Sequence, residues 1–377
     1  MKMPFIKPDF NNNIINVSAS VAQFLGCPND KPILPNLLKE LEKGYKNVVF
    51  LIADGMGINP INKNLSKDSF IRKNLKQVLT SVFPSTTACA MTTYLTNKYP
   101  MEHGWFGWTA YFEELKRTVI LYWDMDAYTG EYIEKGYVKS VLPTEPFYKK
   151  HKSDYTTNVV VPEFWHDDEE NRLVWENFDE MFANIEKICK KEGKQFIFTY
   201  CTEPDSTMHR YGVSSAEAKK VINELNDGIE ELYSKLTDTL FIITADHGQI
   251  DVDGQIEIYK DKELLSMLEW PLYLEPRATA FKVKKECLKE FVEEFNKKYG
   301  ADFKLFEVEQ LIKDNYFGGH LKSGHAKMLG DYIAVCKTNK IFKLHELSND
   351  YRGHHTSRTA EMEVPLIVAG NRDKGRK

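Results

Sequence analysis

At 377 residues, with 42% hydrophobic and 28% charged side chains, the chain has the composition of a globular protein rather than a disordered or fibrous one. A formal net charge of -5 provides no broad basic field, which argues against nucleic-acid polymers as partners. No window approaches 18 uninterrupted apolar residues, so no membrane-spanning helix is expected, and the six cysteines form no CxxC pair, the pattern of reduced, buried thiols.

Residues 1–8 have no apolar run of signal-peptide length, so a cytoplasmic location is expected. Short helices are predicted over 18–25 and 34–43. Asn47–Ala53 reads as a strand buried on both faces, opening onto Asp54-Gly55-Met56-Gly57. The carboxyl edge of a parallel sheet is where α/β proteins place their sites. A strand is predicted over 79–83, and Ser85 or Thr86 can cap the helix that follows. Between residues 99 and 161 aromatic side chains crowd together, Trp105, Trp108, Tyr122 and Trp123 among them. They suit a cap over a pocket or a satellite core.

A helix is predicted over 166–191 and a strand over 195–201, whose end carries Glu203-Pro204-Asp205 and His209. Ser214 and Ser215 begin a helix, and a buried strand over 240–245 runs into Asp246-His247-Gly248-Gln249. Residues 251–331 read as an insertion, with strands over 277–283 and 331–336 and a helix over 287–298. The chain returns with Gly353-His354-His355-Thr356 and a last apolar run over 364–369; the charged tail is expected to fray.

Four strand ends therefore present Asp54, Asp205 with His209, Asp246 with His247, and the His354-His355 pair. Three carboxylates and three imidazoles match two divalent ions with mixed nitrogen and oxygen ligation, zinc first and manganese next. Two such ions clamp the attacking and leaving oxygens of a phosphoryl transfer, and a threonine hydroxyl held by one of them becomes a nucleophile.

These residues resemble the alkaline phosphatase superfamily, and within it the type I phosphodiesterase/nucleotide pyrophosphatase family. The resemblance covers roughly 46–110, 195–250 and 350–370. Asp54 resembles the family's first metal-binding Asp, Asp205 through His209 to Gly212 its PDxxxHxxG element, and Asp246-His247-Gly248 its DHG element. Gly353-His354-His355 is similar to the late GxH and selects His355, with His354 one residue away. The family's nucleophilic Thr stands nine residues before the Thr opening a TGxxPxxHG-like segment; here that is Thr96, and the count reaches Thr87, with Thr86 as fallback. By resemblance, Asp54, Asp246 and His247 hold one ion beside Thr87, and Asp205, His209 and His355 hold the other.

The resemblance implies a single α/β/α sandwich domain over residues 1–377, with a mostly parallel sheet and insertions at about 100–165 and 253–330. It implies hydrolysis of phosphodiester or phosphoanhydride bonds in a small phosphorylated, nucleotide-type substrate through a phosphothreonine. A phosphomonoesterase, a phosphonate hydrolase, a mutase and a non-catalytic phospho-ligand binder would keep the same centre. The chain departs from the family at Ala90, where nucleotide pyrophosphatases carry an Asn.

Overall fold

The computed structural model of the protein describes residues 5–165, 171–356 and 358–372. Its centre is a seven-stranded sheet of β1 (Asn47–Ala53), β2 (Leu75–Thr80), β3 (Tyr155–Pro162), β4 (Arg172–Trp175), β5 (Lys194–Cys201), β6 (Thr239–Thr244) and β7 (Glu363–Asn371). The spatial order is β2-β7-β6-β1-β5-β3-β4. All neighbours pair in parallel except β7, which runs against both β6 and β2. The α/β architecture and mostly parallel sheet expected from the sequence are present.

β1 lies at the middle because every one of its residues is buried, as a parallel strand covered on both faces requires. Ala53 pairs with Cys201 on one side and Ile52 with Thr244 on the other. The three central strands therefore end level, and their next residues leave from one edge. Helix α1 (Ile14–Phe24) precedes β1, and α2 (Thr87–Thr96), α3 (Phe178–Cys189), α4 (Asp205–Tyr211) and α5 (Ala216–Lys235) lie in the connections between strands. Asn13 caps α1, Asn177 caps α3 and Ser215 caps α5, each through its side-chain oxygen.

Three local expectations are corrected. The strand predicted over 79–83 is Leu75–Thr80; Ser81 turns away, its hydroxyl donating to the Asp246 carbonyl. The aromatic insertion is shorter than 100–165, because Tyr155–Pro162 pairs with β5 in the central sheet. The helix predicted over 166–191 starts only at Phe178, residues 172–175 forming an edge strand; residues 166–170 lie outside the described set. The apolar spacing in 178–189 is helical, but Leu173 and Trp175 belong to the two-residue period of β4.

The first insertion forms a three-stranded antiparallel sheet over 109–126. Trp105, Phe112 and Val119 build a satellite core beneath it, while Trp123 is half exposed at 51%. The second forms a four-stranded antiparallel sheet of Tyr273–Glu275, Ala278–Phe281, Tyr332–Cys336 and Phe303–Glu307. Phe291 and Phe295 of the helix Leu288–Tyr299 pack against it. Among the described residues no helix is long and apolar enough to cross a membrane.

Two loops at the level edge touch backbone to backbone. A Cβ on Gly57 would lie 2.4 Å from the Gly248 Cα and 2.8 Å from the Glu363 carbonyl oxygen. Neither neighbour can swing aside as a side chain would. Gly57→Ala should therefore lower unfolding free energy by about 1–3 kcal/mol or more, read from urea denaturation. A change within about 0.5 kcal/mol would show that the loops tolerate separation.

Candidate active site

Asp54 follows β1 directly and is 3% exposed, and Asp246, just beyond β6, is fully buried. Asp205 is the first residue of α4, with His209 one turn later. His247 follows Asp246, and His355 leaves the short strand Gly353–His354 that pairs with Ile250–Asp251. Thr87 is the first residue of α2, where the helix dipole favours negative charge.

The structure brings these seven side chains to one place. The His247 Nε2 lies 3.3 Å from Asp54 Oδ1, 3.3 Å from Asp246 Oδ2 and 3.9 Å from Asp205 Oδ1. The His209 Nε2 is 3.3 Å from Asp205 Oδ2. The rings of His247 and His355 stack at 3.8 Å. Thr87 Oγ1 stands 3.4 Å from both oxygens of Asp54 and 3.2 Å from His247 Nε2.

The imidazole tautomers follow from their outer partners. His209 Nδ1 faces the Gly353 carbonyl at 2.8 Å, His355 Nδ1 the Ser85 carbonyl at 2.8 Å, and His247 Nδ1 the Gly248 carbonyl at 3.1 Å. A carbonyl only accepts, so each Nδ1 bears the hydrogen and each Nε2 turns a lone pair inward. Burial holds His209 down to about 4 and His355 well below the usual imidazole range. Burial, and then the charge of a neighbouring carboxylate, raises Asp54 and Asp246, the latter to about 7; burial also raises Asp205 to about 7.

Lone pairs thus face carboxylates. Among the described residues, Asp246 Oδ2 is buried with no hydrogen-bond donor. Such a set is repulsive unless cations stand within it, so the residues fit divalent metal ions. Asp205, His209 and His355 form one group whose ligand atoms lie within 4.8 Å of one another, and Asp54, Asp205 and His247 form another. Asp205 is common to both. His354 is in neither; its Nδ1 accepts from the His355 N–H at 2.9 Å.

Sequence reasoning missed the groups that orient the acids. The Tyr200 hydroxyl donates to Asp54 Oδ2, and the Gln249 side chain donates to Asp205 Oδ1. Tyr200 sits in a strand where alternation shows only burial, and Gln249 two residues past His247 looks like turn polarity. Ala90 stands one turn after Thr87 on α2 and packs in the main hydrophobic core, so that position offers the centre no side-chain donor. His103 is buried and structural, accepting from the Trp105 N–H at 3.0 Å and touching Thr93 Oγ1 at 3.1 Å.

A sheet with acids and imidazoles at its carboxyl edge, beside a helix-start threonine, is the layout of a phosphoryl-transfer protein of the alkaline-phosphatase type. Residues 48–358 match the family described as "Type I phosphodiesterase / nucleotide pyrophosphatase", and the chain belongs to that family. It is 36% identical over 90 residues to ectonucleotide pyrophosphatase/phosphodiesterase family member 7 of Rattus norvegicus, covering 21% of this chain and 20% of that protein. The matched stretch thus spans about a fifth of the curated relative's length. An inactive variant of murine ectonucleotide pyrophosphatase/phosphodiesterase 5, in complex with AMP, has the same fold, with TM-score 0.63, 19% identity and coverage of 86% and 87% of the two chains. Phosphonoacetate hydrolase from Sinorhizobium meliloti 1021, in complex with phosphonoformate, has TM-score 0.59 at 14% identity, covering 87% of this chain and 91% of that one.

Stripping the metal by chelation should expose the cost of this arrangement. Asp205 and Asp246 move from an ordinary 3.8 to about 7 on folding, so the folded state binds more protons between those values and loses stability as pH rises through 7. His209, lowered from 6.5 to about 4, acts oppositely, its folded state losing stability as pH falls below 6.5. With two aspartates set against one histidine, the chelated protein's Tm should therefore fall as pH rises from about 4 to about 7 and level off above it. Returning a divalent cation should raise Tm on the alkaline side most. A Tm unaffected by chelation at about pH 8 would show that the acids hold no cation.

Proposed function

We propose that the protein hydrolyses a phosphodiester or phosphoanhydride bond of a small, nucleotide-type substrate through a covalent phosphothreonine on Thr87. The observation that carries this reading is the Thr87 hydroxyl, placed at a helix start within 3.4 Å of Asp54 and 3.2 Å of His247. Asp54, Asp246 and His247 would hold one divalent ion and Asp205, His209 and His355 the other, zinc first and manganese second by ligand type. Bound there, the ions would supply positive charge that lowers the hydroxyl's pKa and neutralises the phosphoryl oxygens.

The chain's own residues do the rest. Thr87 attacks the phosphorus in line, forming its oxygen–phosphorus bond as the bond to the leaving oxygen breaks. Water then attacks the phosphothreonine, releasing the phosphorylated product and restoring the hydroxyl. Tyr200 and Gln249 keep the carboxylates of Asp54 and Asp205 turned inward. The helix start holds Thr87 at the edge of the sheet, and the ordered geometry spares the cost of aligning nucleophile and metal ligands at each turnover.

A phosphonate hydrolase is the second reading, favoured by the structural likeness to phosphonoacetate hydrolase. A panel of bis-(p-nitrophenyl) phosphate, p-nitrophenyl phosphate, a dinucleotide and phosphonoacetate, assayed with zinc or manganese restored after chelation, separates the readings. Diester or anhydride turnover well above the others is expected. Dominant phosphonoacetate turnover would select the second reading, and binding without turnover would sink both.

Thr87→Ala should lower kcat by about 10³-fold or more while metal content stays near wild type, because the six other ligands remain. Asp246→Asn should lower metal occupancy and Tm together with rate. Inductively coupled plasma analysis and single-turnover kinetics check both. An active Thr87→Ala would mean that water attacks phosphorus directly.

A further inference from the structure

The hydroxyl of Thr86 is not used as a helix cap. Thr86 occupies the N-cap position of α2 with no side-chain cap bond; its Oγ1 donates to Glu275 Oε1 at 2.6 Å. The same carboxylate oxygen accepts the backbone N–H of Trp108, also at 2.6 Å. Glu275 is 3% exposed. It comes from the second insertion, Trp108 from the first, and Thr86 precedes the proposed nucleophile. One oxygen atom joins all three.

The backbone beside Glu275 is strained. Leu274 has φ 85, a region that bulky L residues rarely occupy and that persists only where surroundings impose it. Those surroundings are visible. The Leu274 N–H donates to Thr109 Oγ1 at 2.9 Å, and the Thr109 hydroxyl donates back to the Leu274 carbonyl at 3.3 Å. Thr109 follows Trp108 directly. The two insertions therefore grip each other across residues 108–109 and 274–275, and the grip aims Glu275 under the first turn of α2. A carboxylate whose only task was solubility would not be buried with a strained neighbour.

We propose that Glu275 is a positioning residue: its Oε1 fixes the Thr86–Thr87 turn and holds Trp108 in place, so that the cap and the nucleophile keep one geometry. It touches no reacting atom and transfers no proton. Its service is that of an acceptor oxygen, which a glutamine amide also offers. The inference rests on the Thr87 reading above, and the test keeps the two apart.

The experiment compares the metal-loaded wild type with Glu275→Leu, Glu275→Gln, Thr86→Val and the double variant Thr86→Val/Glu275→Leu. Glu275→Leu and Thr86→Val should each lower kcat about 10–100-fold, since small misplacement of a reacting group costs that much. KM and metal content should change less than about threefold, and Glu275→Gln should recover kcat to within about threefold of wild type. The double variant should be no worse than Glu275→Leu alone, because both substitutions cut one link. Hydrogen exchange reads the link without turnover: the Trp108 amide should be protected in wild type and Glu275→Gln and exchange about tenfold faster or more in Glu275→Leu. Equal loss of kcat in Glu275→Gln and Glu275→Leu would overturn the proposal in favour of a role for charge. Unchanged kcat in Thr86→Val, or unchanged Trp108 exchange in Glu275→Leu, would overturn it outright. A wild type without turnover but with the expected exchange pattern would defeat the Thr87 reading and leave the link standing.

Discussion

The structure depends on a repulsion that protein donors relieve only in part, Asp246 Oδ2 being buried with no donor. Asp54, Asp205 and Asp246 meet at the ends of neighbouring strands, and the imidazoles that join them point lone pairs at the same centre. Three carbonyls dictate that orientation by taking the Nδ1 hydrogens. Burial then penalises every ionised carboxylate. The arrangement fits divalent cations among the ligands, and the architecture serves to assemble it.

A parallel sheet is suited to that task because strands of level register deliver their next residues to one edge. The approach has to be close, so the loops that carry Asp54 and Asp246 contain Gly57 and Gly248, which touch backbone to backbone. Both Gly55 N–H and His247 N–H donate to Asp246 Oδ1, at 3.0 and 2.9 Å. One oxygen of that carboxylate is thus fully engaged, while the other is buried with no donor.

The insertions are fastened to this edge by polar contacts rather than by packing alone. Arg277, fully buried, donates to Glu361 at 2.7 Å, and the Glu361 carbonyl accepts from Gly248 at 2.8 Å. Burying an ion pair seldom adds net stability, yet removing one partner strands the other. Its effect here is to specify how the second insertion sits beside the His247 loop. Glu275 does the corresponding work beside Thr87.

Local pattern marked Asp54, Asp205 and Asp246 with His247, because each stands at or near the end of a buried apolar run, whereas Thr87 and His355 were singled out by the family resemblance. The sequence by itself also determined the α/β class and the helix start at Ser215, while the threonine nine residues before Thr96 came from the family resemblance. What it could not decide were pairings set over long range. Tyr155–Pro162 carries the same apolar alternation inside the sheet or in a cap, and only pairing with β5 assigned it. Of the two rings, His355 groups with Asp205 and His209 and His354 does not, a difference set by contacts such as His355 Nδ1 to the Ser85 carbonyl, 270 residues away. Tyr200, Gln249 and Glu275 act through single hydrogen bonds between segments distant in sequence, and no periodicity records such a bond. Propensity and burial are properties of short windows, whereas side-chain orientation belongs to the packed whole, so candidate residues were legible and their geometry was not.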